Sequence, residues 1–263
     1  MTFSYKYCVL FCLSILLLAG CSSSKTSLSN QIPPEVEVLK STYPNHILTY
    51  KKGKIILANG TKVVFDDKKQ KTHNQLINSA DIQDIFSIKY PKGELAPAIA
   101  KNSDPGRYRN EKLLKAVYGK NEDEVKKKLV TISWCPKLVN QQLLVTTVNG
   151  VDKQFLKVSA ELDEHPEWAE YLISAGTFNW RTIRGSKMLS AHCFGIAIDI
   201  NTAYSSYWKK DYPGFSEDQA INGYQNQIPQ GIIDIFEKHG FIWGGKWYHY
   251  DSMHFEYRPE LLE

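Results

Sequence analysis

Two stretches of this chain collect side chains able to hold a metal ion. The first, Leu189 to Asn201, reads LSAHCFGIAIDIN and contains His192 and Asp199. The second, Tyr248 to Arg258, reads YHYDSMHFEYR and contains Asp251 and His254. Two imidazoles and a carboxylate can bind a zinc ion and leave its fourth position to water. A second carboxylate beside them can take a proton from that water. The pattern predicts metal-assisted hydrolysis, with His192, Asp199 and His254 as ligands and Asp251 as proton acceptor.

The local sequence says how these groups could be aimed. Gly195 follows His192 closely and allows a tight backbone turn. Ile196, Ile198 and Ile200 then alternate with Ala197, Asp199 and Asn201. A strand here points Asp199 away from the isoleucine face. His254 lies three residues after Asp251 and starts a second strand. A lone His is more often structural than functional, and His249 is read that way. Cys193, beside His192, is read as a wall residue rather than a thiolate ligand.

The rest of the chain must position these two segments. Its 263 residues suffice for one good core or a core with a small appended unit. A formal charge of +4 is too mild to imply nucleic acid. Residues 1–20 read as a leader, with Lys6 ahead of the apolar run Cys8 to Ala19, which is short for a bilayer span. The ending Leu18-Ala19-Gly20-Cys21 resembles a bacterial lipobox. It implies lipidation at Cys21 and a Ser-rich tether over 21–45. The expected place is the cell envelope, lipid-anchored to a bacterial membrane and facing the periplasm or wall. Ser22 is compatible with outer-membrane delivery. Removal of the leader leaves Cys135 and Cys193, which could pair or stay free.

Residues 46–100 read as a small β-rich unit. ILTY, KIIL and KVVF are separated by Lys52-Gly53 and Asn59-Gly60, a hairpin pattern, with the short segment Asp81 to Phe86 continuing it. Residues 101–263 form the expected catalytic part. Helices are predicted over Arg107 to Tyr118 and from Asn121 to about Ile132. Gln142 to Val148 and Gln154 to Leu162 read as strands around an Asn149-Gly150 turn. A helix should run from Pro166 to Gly176 with Trp168, Leu172 and Ile173 inward. Residues 203–229 read as a loop around the site. A helix over Gly231 to His239 closes at Gly240, and strands follow at Phe241 to Trp243 and His254 to Tyr257. The class is α+β: a small antiparallel sheet carrying the site, flanked by helices, with an N-terminal β-meander.

SAHCFGIAID fits S-x-H-x-x-G-x-A-x-D, and DSMH fits [DE]-x-x-H. Together they resemble the zinc peptidases of the D-alanyl-D-alanine carboxypeptidase family. That family includes vancomycin-resistance D,D-peptidases and L-alanyl-D-glutamate endopeptidases, and hedgehog and lysostaphin groups share its metal site. The likeness covers about Phe178 to Arg258. It implies Zn2+ on His192, Asp199 and His254, and places Asp251 at the catalytic carboxylate position. Many carboxypeptidases carry Glu there, whereas the L-alanyl-D-glutamate endopeptidases carry Asp. The family's upstream Arg, which binds substrate and stabilises the oxyanion, corresponds to Arg181, with Arg184 as rival. Ser190 would touch substrate or brace the loop. Trp243, Trp247 and Tyr248 could wall the cleft or pack the core, and Trp247 is the substrate-contact candidate. The implied substrates are peptidoglycan stem peptides, cut as a D,D-carboxypeptidase or as an endopeptidase. A catalytically silent murein-binding lipoprotein retaining the fold is the alternative, and a general peptidase a weaker one.

Overall fold

A β-meander forms where the turn signals predict it. Strands β1 (Ile47–Lys51), β2 (Lys54–Leu57) and β3 (Lys62–Val64) pair antiparallel in sequence order. Lys52, Gly53 and Gly60 take positive φ at the two turns. The sheet is preceded by helix α1 (Pro34–Thr42) and followed by α2 (His73–Ser79). The segment Asp81 to Phe86 does not continue the meander. It forms a one-turn helix, α3 (Ile82–Ile85), because Asp81 and Asp84 build a reciprocal capping box. Its buried Ile82 and Ile85 are three residues apart, the spacing of a helix face.

This is a computed structural model, and it describes residues 1–2 and 31–263. The expected leader and lipidated Cys21 lie outside the described residues. Ile32–Glu263 form one unit. Ile47, Ile55, Leu57 and Val63 of the meander share a core with Leu113, Val117 and the strands around the candidate site.

Several elements of 101–263 differ from expectation, each for a local reason. Helix α4 starts later, at Glu111, and runs to Tyr118, since Asn110 accepts the Leu113 N–H as its cap. Helix α5 is short (Glu122–Lys126) because the following LVTISW is β-prone. That stretch forms β4 (Leu129–Trp134), paired with β5 (Gln141–Thr146). The expected strand over Gln154 to Leu162 belongs instead to helix α6 (Val151–Leu162). Val151, Phe155, Val158 and Leu162 are its buried stripe, while Leu156, which had suggested alternation, is exposed. Asn149 and Gly150 keep their positive φ but turn the chain into that helix. Pro166 opens only a 3-10 turn, Pro166–Tyr171; Leu172 is buried and Ile173 is exposed. The 203–229 loop contains a single α-helical turn, α7 (Trp208–Asp211).

The sheet that carries the two motifs has the order β6 (Ala197–Asp199), β8 (His254–Tyr257), β7 (Phe241–Trp243), all antiparallel. Helix α8 (Gln230–Lys238) covers it, with Phe236 stacked on Phe255 at 3.9 Å. Gly240 closes α8 at φ 90° and returns the chain into β7. The α+β class and the small antiparallel site sheet are therefore both present. Cys135 and Cys193 are buried, and among the described residues neither is bridged.

Candidate active site

The register of β6 against β8 sets Asp199 directly opposite His254. The two motifs thus meet as cross-strand neighbours, although far apart in sequence. His192 arrives from the 3-10 turn Ala191–Phe194, whose N-cap is Ser190. Gly195 then reverses the chain into β6 at φ 64°. A Cβ there would stand 2.7 Å from Leu129 and 3.0 Å from the Thr146 nitrogen, so the position has no room for a side chain.

Three ligand atoms converge. His192 Nε2 lies 3.2 Å from Asp199 Oδ1 and 3.2 Å from His254 Nδ1, and His254 Nδ1 lies 3.0 Å from Asp199 Oδ1. Ligands about 2.0–2.1 Å from a tetrahedral zinc ion stand about 3.3 Å apart, so the donor set and spacing fit the ion. Each imidazole is also oriented from behind. His192 donates its Nδ1 proton to the Thr177 carbonyl at 2.5 Å, leaving Nε2 for the cluster. His254 turns Nε2 to Glu256 at 3.3 Å and presents Nδ1. Glu256 is fully buried and held by Arg109 and Arg258. Such carboxylate–histidine pairs fix both tautomer and ring angle.

The electrostatics follow from this crowding. Burial alone would raise the Asp199 carboxyl, but His192 and His254 outweigh it and hold the group well below its usual range. Burial opposes charge on His254, yet Asp199 and Glu256 outweigh it and lift the ring to about 10. Metal uptake through Nδ1 therefore displaces a proton. Asp251 goes the other way. Burial, then the neighbouring Asp199, push its carboxyl up to about 6. Its Oδ1 is shut from solvent and has no hydrogen-bond partner among the described residues. A buried, unpartnered carboxylate oxygen is costly unless something else comes to meet it.

These groups line a cleft of about 420 Å³. Arg181 and Arg184 are exposed on its wall, and neither has an ion-pair partner among the described residues. Arg181 Nη1 reaches only the Thr182 carbonyl, at 3.5 Å. Ser190 is buried, and its hydroxyl accepts the His192 N–H at 3.4 Å, so it braces the turn from the cleft floor. Trp247 also lines the cleft but is largely buried, donating to the Pro105 carbonyl at 2.7 Å beside His254. Trp243 and Tyr248 are not part of the lining. Cys193 is not part of the lining either; it is buried behind it, and its sulfur meets the Arg181 backbone. His249 is supporting: its Nδ1 donates to Asp104 Oδ2 at 2.6 Å.

Sequence reasoning missed the segment Ser103 to Arg109, read as loop and helix start. It wraps the second motif almost residue by residue. The Ser103 carbonyl takes the Tyr248 N–H at 2.9 Å, and Asp104 Oδ1 takes the His249 N–H at 2.9 Å. The Gly106 carbonyl takes Arg258 Nη1 at 3.0 Å, and Arg109 holds Glu256. A Cβ on Gly106 would fall 2.2 Å from Ile242. Glu256 itself was findable: two residues after His254 on a strand, it shares that ligand's face.

Residues 184–257 match the family described as D-alanyl-D-alanine carboxypeptidase. The match spans under a third of the chain but includes His192, Asp199, Asp251 and His254. It supports a hydrolase, a peptidase of the D-Ala-D-Ala carboxypeptidase kind. No curated protein and no solved structure matches the chain.

Proposed function

We propose that the protein is a zinc-dependent peptidase acting on peptidoglycan stem peptides. The observation that carries this is the convergence of His192, Asp199 and His254 at 3.0–3.2 Å, with the orphaned Asp251 oxygen in the same cleft. Zinc, when bound, supplies a Lewis acid that polarises the scissile carbonyl and acidifies water. Asp251 takes a proton from the attacking water at its carboxylate and hands it to the leaving amine. Burial raises its carboxyl, the direction that lets one group act first as base and then as acid. Arg181 holds a substrate carboxylate or the developing oxyanion from the cleft wall. Ser190 keeps His192 in place, and the Trp247 edge bounds the peptide. Lipid attachment at Cys21 would hold the protein in the envelope, where its substrate lies.

The test is to incubate zinc-loaded protein with a murein stem pentapeptide and with cross-linked murein fragments, then weigh the products. Loss of terminal D-Ala alone marks a carboxypeptidase. Opened cross-links, or L-Ala separated from D-Glu, mark an endopeptidase. In either case a chelator must stop the reaction. Peptide binding with no cleavage by the zinc-loaded chain would overturn the enzymatic reading in favour of a silent murein-binding protein.

A further inference from the structure

A second group of ligating side chains converges away from the triad. His73, Asp104, Glu217 and His249 each bring one nitrogen or oxygen to within 4.8 Å of all the others. They come from four separate segments: the start of α2, the Ser103 to Arg109 segment, the loop after α7 and the second motif. His249 Nδ1 lies 2.6 Å from Asp104 Oδ2 and 3.7 Å from Glu217 Oε2. His73 Nε2 lies 3.5 Å and 3.6 Å from the same two oxygens. Three of these four separations approach the edge of about 3.3 Å expected around tetrahedral zinc.

The independent sign of a ligand is His73. Its side chain is only 5% exposed, and its Nε2 has no hydrogen-bond partner among the described residues. Its Nδ1 is bonded to the Tyr108 hydroxyl at 2.9 Å, which fixes the ring with Nε2 facing both carboxylates. At 3.5–3.6 Å that nitrogen is too far for a good hydrogen bond but well placed to share an ion with them.

We propose that His73, Asp104, Glu217 and His249 form a second divalent-metal site, for zinc or an ion of similar preference. Two imidazoles and two carboxylates give a closed four-ligand shell, the mark of a structural rather than a catalytic ion. Uptake displaces the proton that His249 Nδ1 now donates to Asp104. Arg107 already donates to both carboxylates, at 2.8 Å and 2.9 Å, and Lys209 stands 3.7 Å from Glu217. Each carboxylate oxygen has a second lone-pair direction for the ion. These cations lower the site's affinity, so it fills after the triad. Arg107, Glu217 and His249 also line the cleft, which gives the ion a way in. The bound ion clamps the loop two residues before Asp251. The proposal does not depend on the reading of the cleft as a peptidase.

The full chain, stripped of metal, is titrated with Zn2+ alone and separately with Co2+ alone. Bound metal is counted by elemental analysis after gel filtration, and tetrahedral cobalt is read from its visible absorption. Wild type should hold about two equivalents per chain, and His73→Gln and Glu217→Gln about one each. His192→Ala should lose the other equivalent, and the His73→Gln/His192→Ala double variant should bind none. Circular dichroism confirms that each variant is folded, and either of the two second-site variants suffices. One equivalent in wild type, lost in His192→Ala and kept in His73→Gln or Glu217→Gln, overturns the second site. One equivalent kept in His192→Ala but lost in the second-site variant would sustain it and remove the triad instead.

Discussion

Among the described residues, two clusters of three or more histidines and carboxylates stand out, built on different supports. In the triad, Asp199 and His254 rest on paired strands and His192 on the 3-10 turn just before them, and Thr177 and Glu256 orient its rings from outside. It offers three ligand atoms and leaves a side open to the cleft. The group of His73, Asp104, Glu217 and His249 is assembled from a helix end and loops, with Arg107 bonded into it. It offers four ligand atoms and has no open side to spare. A sheet can hold a site whose chemistry needs a vacancy, because the strands keep the geometry without the ion. In the loop-built group the converging residues also tie the loops to one another, through Asp104 to His249 and Arg107 to Glu217.

The largest expected effect separates the two groups by chemistry. Asp251→Asn should lower turnover on a murein peptide by about 10²–10⁴-fold, the usual worth of a general base. Metal content should stay the same, because Asp251 is not one of the converging atoms. The same substitution should stabilise the metal-free chain in alkali. The folded carboxyl is raised to about 6, above the unfolded value of about 3.9. Its favourable contribution is full below the unfolded value and lost as pH rises through the folded one. At pH 8 the Asn variant should therefore gain up to about 3 kcal/mol, read from denaturant midpoints. An active Asp251→Asn enzyme would end the role given to this residue.

The next effect belongs to the loop-built group. Asp104 is completely buried and accepts from Arg107, from the His249 ring and from the His249 backbone. Asp104→Asn leaves Arg107 short of a buried counter-charge. A loss of about 3–5 kcal/mol in unfolding free energy is expected. A change below about 1 kcal/mol would show that this group fastens nothing.

The two groups also differ in how far the chain reveals them. Period-two alternation around Asp199 and the strand start at His254 are local signals, and both strands are where they predict. Their register is not local, but a three-ligand site has few other ways to close. The second group left no such trace. His73 and Glu217 lie 144 positions apart and belong to no shared spacing, and Asp104 sits in a Pro-Gly turn that reads as an ordinary loop. The same limit explains α6. Leu156, Val158, Ala160 and Leu162 satisfy alternation, while Val151, Phe155, Val158 and Leu162 satisfy a helix, and only packing on the core decides. Short β4 is hidden for a similar reason: the charge-rich stretch 122–128 favours a helix until LVTISW finds β5 as a partner.

A smaller effect sharpens the role of the outer carboxylate. Glu256→Gln keeps the shape behind His254 but removes the charge that holds its Nε2 proton. Affinity for metal at the triad should fall by about 10–100-fold in a chelator competition. Binding at the loop-built group should not move, because Glu256 is no part of it. Loss at both sites would mean that the substitution acts through the fold rather than through His254.

The smallest effect sets the two groups against each other by pH. Burial alone would raise the carboxyls of Asp104 and Glu217, but Arg107 and the facing imidazoles outweigh it and hold both below their usual range. A depressed carboxyl contributes stability that is complete above its unfolded value, about 4, and is lost as pH falls through the folded one. Asp251 contributes in the opposite sense, losing stability as pH rises through about 6. Metal-free wild type should thus be most stable between these windows. Glu217→Gln should flatten the acid limb by about 1–2 kcal/mol and leave the alkaline limb alone, while Asp251→Asn should do the reverse. Urea midpoints from pH 3 to pH 9 on the two variants would resolve the limbs. If Glu217→Gln altered the alkaline limb, the two groups would be one coupled network, and the division between open site and loop fastening would have to be withdrawn.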